Sequence, residues 1–109
     1  MKNMTETEIT NRKIKPFLVE TYAARPTKYH GDVYSEAGVA DLLVCMGVDD
    51  LRGIFAAFEV KKPGEKPRAN QLVFLESIKK AGGIAGIIYT DTFKEDIHKI
   101  ITQYRLTRG

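Results

Sequence analysis

A single cysteine, Cys45, leaves this chain without any internal disulfide framework and without a cysteine-rich zinc site. Two histidines, His30 and His98, are too few for a histidine-based zinc centre. No apolar run approaches the ~20 residues that a membrane span needs. The opening segment, MKNMTETEITNRK, has no apolar stretch of the kind a secretory signal requires. The chain is therefore expected in the cytoplasm, with no membrane partner. Charge of one sign is not dominant either: seventeen Lys and Arg stand against fourteen Asp and Glu, a net +3 that permits a polyanionic partner without demanding one. The chain does have 43% apolar and 28% charged residues, which is globular composition. Its 109 residues allow one domain, 1–109, with a real core.

Thr5-x-x-Glu8 reads as a capping box that opens a helix. Ile9, Ile14, Phe17 and Leu18 form its apolar face, and Pro16 is expected to kink or divide it. Ala24 to Ser35 is rich in turn formers and reads as a loop, with a short strand near Tyr29. Val39 to Met46, flanked by Gly38 and Gly47, is apolar except for Asp41 and reads as a strand. Val48 to Gly53 is a turn, and Ile54 to Lys61 is a second strand, antiparallel to the first. The loop KPGEKPR, Lys62 to Arg68, leads into a helix that ends near Ala81 at Gly82-Gly83. Ile84 to Tyr89 is a third strand. Thr92-x-x-Glu95 reads as another capping box, before an amphipathic helix with Phe93, Ile97, Ile100, Ile101 and Tyr104 on one face. This order is an α/β domain with a small mixed sheet flanked by helices.

Two acids break the strand pattern. Alternation puts Ala57, Glu59 and Lys61 on one face of the second strand, with Phe58 and Val60 on the other. Glu59 thus sits in an otherwise apolar strand, where an unpartnered carboxylate costs roughly 3 kcal/mol or more. Lys61 is its available partner. In the first strand Asp41 shares a face with Leu43 and Cys45. Either acid alone has an ordinary explanation, as a turn residue or as half of an exposed Glu–Lys pair. Two on neighbouring strands can converge, and a hard cation is the usual reason to bring two carboxylates together. Gln71 opens the next helix. Leu75 and Ile78 lie at i+4 and i+7 from it, which places it on the sheet-facing side near the strand end that carries Lys61.

Gly38-Val39-Ala40-Asp41, Phe58-Glu59-Val60-Lys61 and Gln71 together resemble the G-x-P-D … E-x-K … Q pattern of the VRR-NUC nucleases, within the PD-(D/E)XK superfamily. The resemblance runs from about Lys28-Tyr29-His30-Gly31 to about Ile101 and includes Ala81-Gly82-Gly83-Ile84-Ala85, similar to the family's glycine pair before its last core strand. Ala40 stands where the family usually has proline. The family's first-helix glutamate falls near Asn11, with Glu8 three residues earlier on the same helical face and Glu6 and Glu20 as further candidates.

The resemblance implies a restriction-endonuclease-like core and metal-dependent phosphodiester hydrolysis. Asp41 and Glu59, with the Val60 carbonyl, would hold Mg²⁺ or Mn²⁺. Lys61 would orient the attacking water, and Gln71 would position Lys61 or the water. Glu8 would complete the set. Lys28, His30, Lys62, Lys66 and Arg68 flank these residues and would hold backbone phosphates. No basic stripe interleaved with aromatics points to base readout, so recognition of DNA by shape is expected, and the resemblance implies branched DNA such as a Holliday junction. The resemblance is to stand-alone members of the phage and bacterial type, similar to junction resolvases, which implies a homodimer. Ile97, Ile100, Ile101 and Tyr104, with Phe17 and Tyr22, are candidates for its apolar face or, equally, for ordinary core packing.

Overall fold

The computed structural model describes residues 4–29 and 38–108. Helix α1, Glu6–Ile9, opens on a capping box: the Thr5 hydroxyl accepts from the Glu8 N–H at 3.1 Å, and Glu8 Oε1 accepts from the Thr5 N–H at 3.1 Å. Thr10–Ile14 then forms a π-helical turn, closed by the Lys15 N–H on the Thr10 carbonyl five residues back. Pro16 follows at the start of α2, Lys15–Tyr22. Having no N–H and crowding the preceding turn, the proline favours this widened turn over a regular helix. The expected division of the first helix is therefore a bulge. Helix α2 ends at Ala23 in the left-handed region, and the Gly47 N–H closes on the Tyr22 carbonyl at 3.1 Å. A Cβ at residue 47 would collide with the Ala23 carbonyl, so this crossing admits only glycine.

Four strands follow: β1 Arg25–Lys28, β2 Leu42–Cys45, β3 Phe55–Lys61 and β4 Ile84–Tyr89, hydrogen-bonded in that spatial order. The strand expected near Tyr29 lies just before it. Pro26 is tolerated because β1 is an edge strand. The rest of that loop, residues 30–37, lies outside the described residues. Strand β2 is shorter than Val39 to Met46, because Asp41 gives its N–H to the Glu59 carboxylate and not to a ladder. β1–β2 and β2–β3 pair antiparallel. β3 and β4 pair parallel, joined by the crossover helix α3, Ala69–Lys80. A 3₁₀ turn, Asp49–Leu51, links β2 to β3.

Helix α4, Phe93–Arg108, closes the chain. Its start is not the expected Thr92–Glu95 box: Asp96 Oδ2 accepts both from the Thr92 hydroxyl, at 2.8 Å, and from the Tyr89 N–H, at 2.9 Å. Asp96 thereby ties the helix to the end of β4. No described helix is long and apolar enough to cross a membrane.

The two sheet faces differ. One is covered by the first helices and α4, and buries Ile14, Leu18, Val44, Phe58, Val60, Ile88, Ile97 and Ile101. The other lies under α3 and is built from small groups, Ala40, Ala57, Leu75 and Ala85. Ile97, Ile101 and Tyr22, expected as part of a dimer face, are core residues. Phe17 stacks edge-on against Phe93 and Tyr22. The apolar face of α4 is thus used within the chain, because a four-stranded sheet needs a full helix to cover this side.

Candidate functional site

The thin α3 side of the sheet leaves room for polar groups, and Asp41, Glu59, Lys61 and Gln71 meet there. Glu59 is 1% exposed. Its Oε1 accepts from the Asp41 N–H at 3.2 Å, and its Oε2 accepts from Gln71 Nε2 at 2.5 Å. Lys61 Nζ lies 3.4 Å from the same Oε2. Asp41 in turn accepts from the Val60 N–H through Oδ2, at 3.1 Å. The two acids are thus crossed: each carboxylate holds a main-chain N–H beside the other. The pleat then determines where the Val60 carbonyl points. Lys61 O bonds the Thr90 N–H on the β4 side at 2.9 Å. Neighbouring residues in a strand aim their main-chain groups to opposite sides, so the Val60 carbonyl points toward Asp41.

Gln71, 5% exposed, is the third residue of α3. Its Oε1 accepts from the Arg68 N–H at 2.8 Å, closing the helix start, while its Nε2 reaches Glu59. It therefore positions Glu59, where the sequence suggested Lys61 or a water. Gly38, the first residue of the GVAD segment, adopts φ +81°, and a Cβ there would come within 2.6 Å of the Asn70 carbonyl. The GVAD segment and the first turn of α3 are pressed together, with Asn70 next to Gln71. Gly38→Ala is expected to cost about 1–3 kcal/mol and to lower activity while every acid remains. Thermal melting and cleavage rate measured side by side check this; an unchanged rate would show that α3 is placed by other contacts.

Burial, followed by the charge of Asp41, raises the Glu59 carboxyl from its ordinary 4.5 to about 7, with Lys61 pulling it back. Its folded value lies above its unfolded one, so the folded state holds the extra proton between pH 4.5 and about 7. Stability is then fullest below pH 4.5 and falls as pH rises to about 7. In EDTA the loss is expected to be on the order of 2–3 kcal/mol, read as a falling melting temperature. A flat profile would mean that neither burial nor the charge of Asp41 raises the Glu59 carboxyl.

The first helix departs from the expectation. Glu8 is held in the Thr5 capping box, with Arg12 at 3.8 Å, and these hydrogen bonds keep its carboxyl below the ordinary value. Glu6 is the acid that feels the site: burial, then Asp41 and Glu65, raise its carboxyl, opposed by Lys61 and Lys28. Asn11 and Glu20 are exposed. The capping box in the sequence already marked Glu8 as engaged. The π-turn, which shifts the helical count by one residue, left no comparable mark.

Lys28 closes β1 opposite Leu42, beside Asp41. His30 lies outside the described residues. Lys62, Lys66 and Arg68 are exposed in the loop between β3 and α3, where the Lys62 N–H is held by Glu65 at 2.6 Å.

Among the described residues no three His, Cys, Asp or Glu side chains approach closely enough to hold a metal ion together. The donors that converge are two carboxylates and one main-chain carbonyl. Such a set suits Mg²⁺ or Mn²⁺, which bind through one or two carboxylates and keep several waters, better than zinc.

Among solved structures, a chain described as a VRR_NUC domain superposes with a TM-score of 0.61 at 27% sequence identity, covering 91% of this chain and 96% of that one. Neither a protein-family model nor a curated protein matches the sequence.

Proposed function

We propose that this chain, a VRR-NUC domain nuclease, is a Mg²⁺- or Mn²⁺-dependent endonuclease of the PD-(D/E)XK type that hydrolyses phosphodiester bonds in branched DNA, such as Holliday junctions. The observation that carries the reading is the buried Glu59, kept beside Asp41 at an electrostatic cost, with the Lys61 ammonium 3.4 Å away. A binding module has no physical reason to retain that arrangement.

Asp41, Glu59 and the Val60 carbonyl would hold the ion. When bound, the cation acidifies water and stabilises charge on the phosphate. Lys61 Nζ, on a side chain 15% exposed, reaches the opening of the site, where it orients the attacking water and neutralises the scissile phosphate. Gln71 keeps Glu59 in one orientation. Glu6 lies close enough to influence Asp41 but outside the cluster of donors. One P–O bond forms to the water oxygen as one P–O ester bond breaks. Lys28, Lys62, Lys66 and Arg68 hold backbone phosphates around the site, which fixes register without reading bases. One chain carries one such site, so paired cuts across a four-way junction require a homodimer. Light scattering of the protein alone and with junction DNA tests that requirement.

The deciding experiment is incubation with branched, flapped, single-stranded and linear duplex DNA in Mg²⁺, Mn²⁺, Ca²⁺ or EDTA. Cleavage of branched DNA in Mg²⁺ or Mn²⁺ alone is expected. Tight binding of branched DNA with no cut in any metal would replace this reading with a silent DNA-binding module.

A further inference from the structure

A second concavity lies away from the acids. It is a groove of about 720 Å³ between the start of β4, the C-terminal end of α3 and the last turns of α4. Ile84, Ile100 and Tyr104 form its apolar lining, and Lys79, Lys99 and Arg108 supply its charge, with no acidic residue among the groups that line it. The Tyr104 ring is fixed in place: its hydroxyl donates to the Gly82 carbonyl at 3.2 Å, and the Arg108 guanidinium lies over the ring, 5.2 Å from its centroid, and donates to the same hydroxyl. Lys79 and Arg108 sit at helix C-termini, where a cation offsets the helix dipole. Lys99 sits in the middle of α4, where no dipole end calls for one. Three cations with no acidic side chain among the described groove-lining residues, beside a fixed aromatic ring, complement a polyanion that carries flat bases.

We infer that this groove takes a single-stranded stretch of nucleic acid, with phosphates against Lys79 and Lys99 and a base against the platform that Tyr104 and the Arg108 guanidinium over it form. The inference rests on the nuclease reading and narrows it within branched DNA, away from the fully paired four-way junction and toward a substrate with an unpaired segment beside the cleaved duplex. Helix α3 links the two places. Gln71 at the site and Lys79 at the groove are eight residues apart on it, about 12 Å. That is roughly three to four nucleotides of strand at B-form rise, so one strand can pass from the acids to the groove along α3.

The test uses the full chain in EDTA, with two fluorescent probes: a short oligothymidylate and a blunt duplex of equal length. Lys79 and Lys99 are exposed, so the double variant Lys79→Glu/Lys99→Glu is expected to fold normally, which circular dichroism checks. Single-strand affinity should fall about tenfold or more, with a shallower salt dependence, while duplex affinity stays within about twofold. An oligothymidylate carrying 5-iodouridine should photo-crosslink to Tyr104. Equal losses on both probes, unchanged single-strand binding, or crosslinks confined to the Lys62–Arg68 loop would each overturn the inference. Neither measurement depends on cleavage. Single-strand binding through the groove in a protein that cuts nothing would remove the nuclease reading alone; cleavage with single-strand binding untouched by the variant would remove the groove alone.

Discussion

Asp41→Asn should abolish cleavage and, in the same protein, raise metal-free stability at neutral pH. The asparagine oxygen can still accept the Val60 N–H that Asp41 Oδ2 holds at 3.1 Å, so the backbone remains satisfied. Its amide then offers a donor to Glu59 where Asp41 offered a like charge. The metal loses one of two carboxylates, and the rate should fall by about 10³-fold or more. The Glu59 carboxyl should move back down from about 7, because Asp41 is the largest cause of its rise after burial. Relief of that repulsion is worth on the order of 1–2 kcal/mol at pH 8, seen as a higher melting temperature in EDTA. Residual metal-dependent cleavage would remove Asp41 from the chemistry. A drop in stability would make it a structural residue that supports the β2–β3 junction.

Lys61→Ala separates chemistry from metal binding. Lys61 contacts Glu59 at 3.4 Å but donates no oxygen to a metal. Turnover should fall about 10²- to 10³-fold, while Mn²⁺ affinity, measured by calorimetry, stays unchanged or tightens as a competing cation leaves. Lys61 is also the charge that lowers the Glu59 carboxyl, so its removal should lift that carboxyl further. The metal-free protein should then lose more stability between pH 5 and 8 than the parent does. A loss of Mn²⁺ affinity as severe as that of Glu59→Ala would show that Lys61 maintains the geometry of Glu59 and does not act on water and phosphate.

Legibility differed between parts of the chain for identifiable reasons. The interior of β3 and all of β4 were readable from continuous apolar runs, and α3 from its glycine stop. These features depend on residues close in sequence. That Glu59 and Lys61 share one sheet face was likewise readable, because strand alternation is local geometry; their meeting with Asp41 and Gln71 depends on residues far apart in the chain. The shortened β2 was not: Asp41 leaves the ladder for a carboxylate eighteen residues away.

The amino-acid sequence by itself determined the order of elements, the antiparallel pairing of β2 and β3, and the set of polar residues placed against an apolar pattern, since each follows from periodicity and turn chemistry within a short window. Tertiary structure alone decided that Glu6 feels the charge of Asp41, that Gln71 grips Glu59, and that Ile97, Ile101 and Tyr22 lie in the core. The first depends on residues thirty-five positions apart, which no local pattern relates. The second follows from the close approach of Gly38 to Asn70, which presses the GVAD segment against the start of α3. The third follows because a four-stranded sheet buries its Phe58 and Val60 face only when α4 lies across it, and which helix covers which face depends on contacts between residues far apart in the chain.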